Sequence, residues 1–422
     1  MQTKEASPCP PGAISSAARL PRLPRRAATG KPTVRIGFLD SFSGVFSDIA
    51  AKHKAGATIA LADLNRRGGV RYELVTGDDT SKPAVAVSEM RRLVGQENVD
   101  AIFGGTSSGS ALALAPLADE LGVFNMTLGP FDSTVTGAKA RALTYRYGLN
   151  ARMALNPMAN RLLALGKKWY FVQADYALGK DAYAQLAPLL ARAGGTEVGH
   201  DVLPLGTTDF STPMTKVQTS GADVLVLANS GVDAANAVHA FVQFGLPKKI
   251  HLAGINLEDF YYDAIPLDAV QGATFSVLWA PDVSDASRKL VARLRREIHG
   301  PISARHYYGY AALMQLADRI EGAGTTDAGK LAKAFDDHSF NGFKENPSRW
   351  HGCDHQNAQD CYAGAVVSRK QFNKTQFMFD VVATVPTVES DGTCDSPWAK
   401  AATAAIAASP IGTRAGYTPK TV

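Results

Sequence analysis

From Thr33 onward, short apolar runs alternate with longer segments of helical periodicity, and that alternation leaves few folds open to the chain. Thr33–Leu39 (TVRIGFL) reads as a buried strand, and the turn Asp40-Ser41-Phe42-Ser43-Gly44 follows it. A helix is predicted from about Ser47 to Arg67, with Ile49, Ala57, Ala60, Leu61 and Leu64 at helical spacing and a stop at Gly68-Gly69. Tyr72–Thr76 is the next strand, and Asp78-Asp79 leads into a helix over Pro83–Val94. Strand Ala101–Phe103, helix Ala111–Leu121 and strand Val123–Thr127 continue the order up to the turn Leu128-Gly129-Pro130. A repeated β-α unit of this kind predicts a mostly parallel, doubly wound sheet.

The pattern then restarts. Strands are predicted at Trp169–Val172, Val198–Leu203, Val224–Leu227, Ile250–Ala253 and Thr274–Leu278, with helices at Tyr176–Ala193, Met214–Thr219 and Val232–Phe244 between the earlier ones. Helices at Ser287–Ile298, Ala304–Glu321 and Asp327–Phe335 follow, and Ala363–Val367 and Gln376–Val382 alternate like paired strands. Two α/β units in tandem would set their carboxyl edges across a cleft, a natural place for a ligand.

At 422 residues the chain suits two or three domains. No apolar run approaches the ~20 residues that span a bilayer. The net charge of +5 comes from the first 32 residues, where Lys4, Arg19, Arg22, Arg25, Arg26 and Lys31 oppose only Glu5. The remainder is balanced, which removes the general argument for nucleic acid. That Pro-, Ala- and Arg-rich tail is expected to be disordered, and it makes a poor secretory signal, because basic residues occupy the place of the apolar core. Of the four cysteines, Cys9 stands alone and Cys353, Cys361 and Cys394 cluster near the end. Their spacing is no zinc pattern, and it suits a staple formed in an oxidising compartment.

The stretch from Gly104 to Ser110, between a strand and a helix, admits three chemistries. Its glycine spacing is that of a phosphate loop, but Ser110-Ala111 stands where Lys-Ser/Thr is required. Gly105-Thr106-Ser107-Ser108-Gly109 is literally G-x-S-x-G, the turn of a serine nucleophile. The third is plain anion binding by small hydroxyls and a helix N-terminus. A hydrolase needs a later acid and histidine at strand ends, whereas His239 lies within a helix, His251 starts a strand, and His299, His306, His338, His351 and His355 fall in helices or the terminal segment. A dinucleotide-dependent dehydrogenase fares worse than the hydrolase, since no G-x-G-x-x-G follows any strand.

The order of motifs resembles the substrate-binding proteins of ABC importers of the branched-chain amino acid type, with the type I periplasmic binding fold. The residues that carry it include Ile36-Gly37-Phe38-Leu39 with Ser43-Gly44, Asp63-Leu64-Asn65 with Gly68-Gly69-Val70, and Asp78-Asp79 with Ala84-Val85-Ala86. The Gly104–Ser110 turn, Ala174-Asp175-Tyr176-Ala177-Leu178-Gly179, Thr208-Asp209-Phe210-Ser211 and Gly221-Ala222-Asp223-Val224 before Leu227-Ala228-Asn229 extend it, over about Thr33–Val382. The resemblance implies α/β architecture with two doubly wound parallel-sheet lobes joined by a three-strand hinge. The expected division is a basic tail at 1–32, lobe 1 at 33–150 plus 281–340, lobe 2 at 151–280 plus 341–395, and a C-terminal tail at 396–422.

Carried over by position, Ser107 and Ser108 would bind a ligand carboxylate, with Thr127, Gly129 and Phe131 beside them and Tyr176 from the second lobe. Amino-acid binders of this family tend to place an acidic residue after the strand that here ends Ala253-Gly254, to hold the ammonium. This chain has Ile255-Asn256 there, with Glu258 and Asp259 slightly later, and Asn229-Ser230-Gly231 replaces a tyrosine-rich turn. Ser230, Asn256, Phe42 and Phe46 complete the expected ligand contacts, with Trp279 as a further aromatic; core packing is the competing role for Phe42 and Trp279. Relatives with such turns and with the Cys353-Asp354-His355-Gln356 segment resemble importers of aromatic or other small organic acids.

The expectation is therefore a periplasmic receptor, monomeric and without enzymatic activity, cofactor, metal or nucleic-acid partner, that delivers a small carboxylate to a membrane permease. A serine hydrolase using Ser107 and a ligand-sensing module of the same fold are the alternatives. The cysteine positions alone leave Cys353–Cys361 and Cys353–Cys394 open. The resemblance favours Cys353–Cys394, since related chains carry a Cys-Asp-His-Gln segment and a cysteine near the end.

Overall fold

A computed structural model describes residues 32–390, together with the backbone of Arg25 and Arg26 and with Cys394. The disorder expected over 1–32 and the tail at 396–422, with its Ala-rich run, concern residues almost wholly outside that range.

The first sheet comprises β1 (Arg25–Arg26), β2 (Pro32–Asp40), β3 (Arg71–Asp78), β4 (Ala101–Gly104), β5 (Phe124–Thr127) and β6 (Thr144–Arg146). From β3 through β2, β4 and β5 to β6 all neighbours are parallel, and only β1 pairs antiparallel with β2. Helices α1 (Ser47–Arg67), α2 (Pro83–Gly95) and α3 (Ser108–Leu121) are the crossovers. β6 was not foreseen: Thr144-Tyr145-Arg146 lacks an apolar run, yet all three are buried.

The second sheet opens with β7 (Lys168–Ala174), β8 (Thr196–Leu203), β9 (Val224–Ala228), β10 (His251–Gly254) and β11 (Thr274–Val277), all parallel. Next, β12 (Ser339–Phe340), β13 (Ser348–Trp350) and β14 (Asn357–Ala358) form a small sheet of their own. β15 (Cys361–Val366) and β16 (Phe379–Val385) then join the second sheet antiparallel, as the alternation predicted. The last strand starts later than expected because Gln376, at φ +58°, caps an unpredicted helix, Arg369–Thr375.

Residues 341–358, grouped from sequence with the second lobe, lie against the first sheet. The His355 ring stacks on Tyr145 with centroids 4.0 Å apart, and Gln356 bridges Arg146. The chain rejoins the second sheet at Cys361. Three crossings thus link the lobes, after β6, after β11 and before β15, and side chains tie them together. Asn357 Nδ2 and Gln359 Nε2 donate to the Tyr147 carbonyl oxygen at 3.0 and 2.7 Å, and Gln356 Nε2 to that of Gly148 at 2.8 Å. The buried Lys344 ammonium donates to the carbonyl oxygens of Leu278 and Asp360 at 2.8 and 2.7 Å.

Cys353 is disulfide-bonded to Cys394, with Cα atoms 5.3 Å apart. Cys361 lies outside that bond, buried in β15, and its thiol donates to the Gln359 carbonyl oxygen at 3.3 Å.

One helix contact positions the site. The helix Ala304–Ala323 lies against α1 with backbones nearly touching: a Cβ on Gly56 would fall 2.0 Å from the His306 carbonyl oxygen, and one on Gly309 equally close to that of His53. Only glycine on both helices allows that approach, and it sets the start of the later helix beside the middle of α1.

Candidate functional site

The Gly104–Ser110 turn sits at the carboxyl edge of the first sheet. Gly104 adopts φ +119°, and a Cβ there would fall 2.5 Å from the Leu39 carbonyl oxygen, so the tight exit from β4 requires glycine. Ser107 caps α3, its Oγ accepting the Ser110 N–H at 3.3 Å. Ser108 Oγ accepts the N–H groups of Phe131 at 3.1 Å and Asp132 at 3.2 Å. With their lone pairs engaged by backbone donors, both buried hydroxyls keep their own O–H to give to an acceptor. Thr127 Oγ1 reaches the Gly105 carbonyl oxygen only at 3.5 Å.

Sequence reasoning named Glu258 but missed the arginine and the histidine beside this turn. Arg305, in the first turn of its helix, makes a two-pronged bond with Glu258: Nε to Oε2 at 2.9 Å and Nη2 to Oε1 at 2.6 Å, both side chains essentially inaccessible. Its remaining nitrogen, Nη1, is buried without a hydrogen-bond partner and lies 2.9 Å from where a Cβ on Gly129 would be. The guanidinium sits 6.0 Å from the Phe131 ring centroid and 5.7 Å from that of Tyr308. On α1, buried His53 bonds Asp40 through Nδ1 at 2.9 Å, and its Nε2 has no partner. The available signal was Arg305-His306 opening a helix whose next two turns, Tyr307 to Met314, are apolar and aromatic throughout.

The second lobe covers this face. Gly231 abuts Val45 and Phe46, and the Phe46 ring centroid lies 6.1 Å from that of Tyr176. Asp181 Oδ2 accepts the Ser133 N–H at 2.8 Å, and the Tyr261 hydroxyl donates to Asp48 at 3.4 Å. The cleft is closed. Asn256 Nδ2 donates to Ser230 Oγ at 3.2 Å and to Glu258 Oε1 at 2.6 Å, which places the expected contacts Ser230 and Asn256 as supports of the ion pair. Both amide atoms of buried Asn229, at the carboxyl end of β9, lack partners, as does Asp233 Oδ1. Burial pushes the Asp233 pKa up to about 6 and that of Asp259 up to about 7. Two of the expected aromatics pack elsewhere. Phe42 meets Phe38 edge-on at 5.3 Å under Lys54, and Trp279 stacks on Tyr307 at 5.0 Å with its Nε1–H on the Phe343 carbonyl oxygen.

A family model described as periplasmic binding protein matches residues 33–371, most of the chain. The chain belongs to this family. Periplasmic binding proteins similar to it include Leu/Ile/Val-binding protein homolog 3 of Brucella melitensis, 26% identical over 319 residues, or 74% of this chain and 85% of the relative. A periplasmic binding protein from Burkholderia mallei superposes with a TM-score of 0.79 at 26% identity, covering 86% of this chain and 96% of its own. An ABC-transporter solute-binding protein of Rhodopseudomonas palustris, solved with p-hydroxybenzoic acid, shares the fold at a TM-score of 0.77 and 20% identity, over 84% and 97% of the two chains. The type I fold with two lobes is thus established. The hydrolase alternative gains no support, and His53 Nε2 makes no hydrogen bond to either serine.

Proposed function

We propose that this periplasmic binding protein is the extracytoplasmic receptor of an ABC importer for a small organic acid without an α-ammonium group. The observation that carries the reading is the Arg305–Glu258 pair. Glu258 follows the strand after which amino-acid binders tend to hold an ammonium, and here both its oxygens are occupied by a guanidinium. Donors that remain include the hydroxyls of Ser107 and Ser108, Arg305 Nη1 and the Asn229 amide, a set that suits a carboxylate. Phe131, Phe46 and Tyr176 supply aromatic surface for the rest of the molecule. The likeness to a p-hydroxybenzoic acid complex supports the acid, and the Leu/Ile/Val-binding relatives support the importer role.

The test is a thermal-shift and calorimetry panel. Phenylacetate and 4-hydroxybenzoate are expected to stabilise the protein while phenylalanine and leucine do not; tighter binding of either amino acid would overturn the reading. Ser108→Ala removes one charge-assisted bond and should weaken acid binding by about 1.5–3 kcal/mol, roughly ten- to a hundredfold.

In this reading the acid binds between open lobes, which then close on it and present the closed form to a membrane permease. X-ray scattering should report a smaller radius of gyration with saturating acid. No change on tight binding would argue against lobe closure.

A further inference from the structure

The turn that precedes the third crossing gathers four groups able to ligate a metal. His351, Cys353, Asp354 and Cys394 each offer one ligand atom, and these atoms all lie within 4.8 Å of one another. Tetrahedral zinc, with bonds of about 2.0–2.3 Å, needs ligand atoms roughly 3.3–3.8 Å apart. Small side-chain rotations meet that spacing once the two sulfurs are no longer bonded to each other. Sequence spacing hides the set, because Cys394 lies 41 positions from Cys353.

The turn holds its imidazole and carboxylate in place by its own hydrogen bonds. The His351 N–H donates to the Gln356 carbonyl oxygen and the His355 N–H to that of His351, both at 2.9 Å. Asp354 Oδ1 accepts the Gln356 N–H at 2.9 Å and lies 3.2 Å from His351 Nδ1. His351 and Asp354 are buried, whereas both cysteines are half-buried, within reach of a small reductant and of an ion. A prearranged nitrogen and oxygen pair thus stands beside the two sulfurs.

We propose that this corner is a redox-gated zinc site. Disulfide-bonded, it holds no metal; as a dithiol, it binds one Zn²⁺ through His351, Cys353, Asp354 and Cys394. Exchange with a dithiol reductant breaks the S–S bond, puts a proton on each sulfur and leaves the reductant as a disulfide. Zinc then displaces both thiol protons to water and bonds the thiolates. Two thiolates, an imidazole and a carboxylate suit zinc over magnesium or calcium, which prefer oxygen ligands alone. Either link, S–S or S–Zn–S, fastens residue 394, beyond the last strand of the second sheet, to a turn packed on the first. The chain end thus keeps a staple in oxidising and in reducing surroundings.

The test compares oxidised protein with protein reduced by a phosphine and freed of it under argon. Reduced wild type should carry one zinc per chain through gel filtration. With cobalt in place of zinc it should show a thiolate-to-metal charge-transfer band. Oxidised wild type should carry none. His351→Ala should weaken zinc binding tenfold or more in competition with a chromophoric chelator, while still forming the Cys353–Cys394 bond when oxidised. Absence of zinc from reduced wild type overturns the inference, and the wild-type comparison decides by itself if the variant fails to fold. Equal zinc on oxidised and reduced protein marks an adventitious ion only and overturns it too. Unchanged affinity in folded His351→Ala means that thiols alone hold the metal, which overturns the four-residue site.

Discussion

Arg305→Met is expected to lower the unfolding free energy by about 3–5 kcal/mol, because it leaves the Glu258 carboxylate buried without its counter-charge. Acid binding should be lost as well. The two losses separate in the double variant Glu258→Leu/Arg305→Met, which removes both charges. Its stability should return to near the wild-type value, since apolar replacements of a buried pair are often neutral or better. Its affinity for organic acids should not return. Urea denaturation beside calorimetry on the three proteins decides the matter, and recovery of binding in the double variant would remove Arg305 from the site.

Cys394→Ser carries the second large effect. The disulfide closes a loop of 41 residues, for which chain entropy gives about 4 kcal/mol. The oxidised protein should lose about that much on substitution, and wild type in excess reductant should fall to the variant's stability. Non-reducing peptide mapping should show Cys353 linked to Cys394 and Cys361 alkylated; a Cys353–Cys361 peptide would refute the pairing.

The repeating strand–helix order, the glycine turn with Ser107 and Ser108, and the paired strands near the end were legible because each is a local pattern of apolar spacing or turn chemistry. Arg305 and His53 were not. Each is one polar residue inside a helix, and nothing in its neighbourhood tells a solvated charge from a buried one. Their roles come from partners distant in sequence: Glu258 lies 47 positions from Arg305, and Asp40 13 from His53. Even the approach of the two helices depends on Gly56 and Gly309, small residues whose value shows only when the partner helix is placed. The helix Arg369–Thr375 was missed for the opposite reason, since its polar sequence carries too weak a face to register.

The ties among the three crossings have a kinetic consequence. Amide side chains join the third crossing to the first, and Lys344 joins it to the second, so the strands bend as one body around a single axis. In the reading proposed above, opening would then have essentially one degree of freedom, with its equilibrium set by these ties between the crossings. Apparent affinity is the intrinsic affinity scaled by the fraction of molecules in the competent state. Substitutions at Gln359 or Lys344 would therefore alter how long a solute stays aboard, and how readily it is surrendered at the membrane, without changing which solute is chosen.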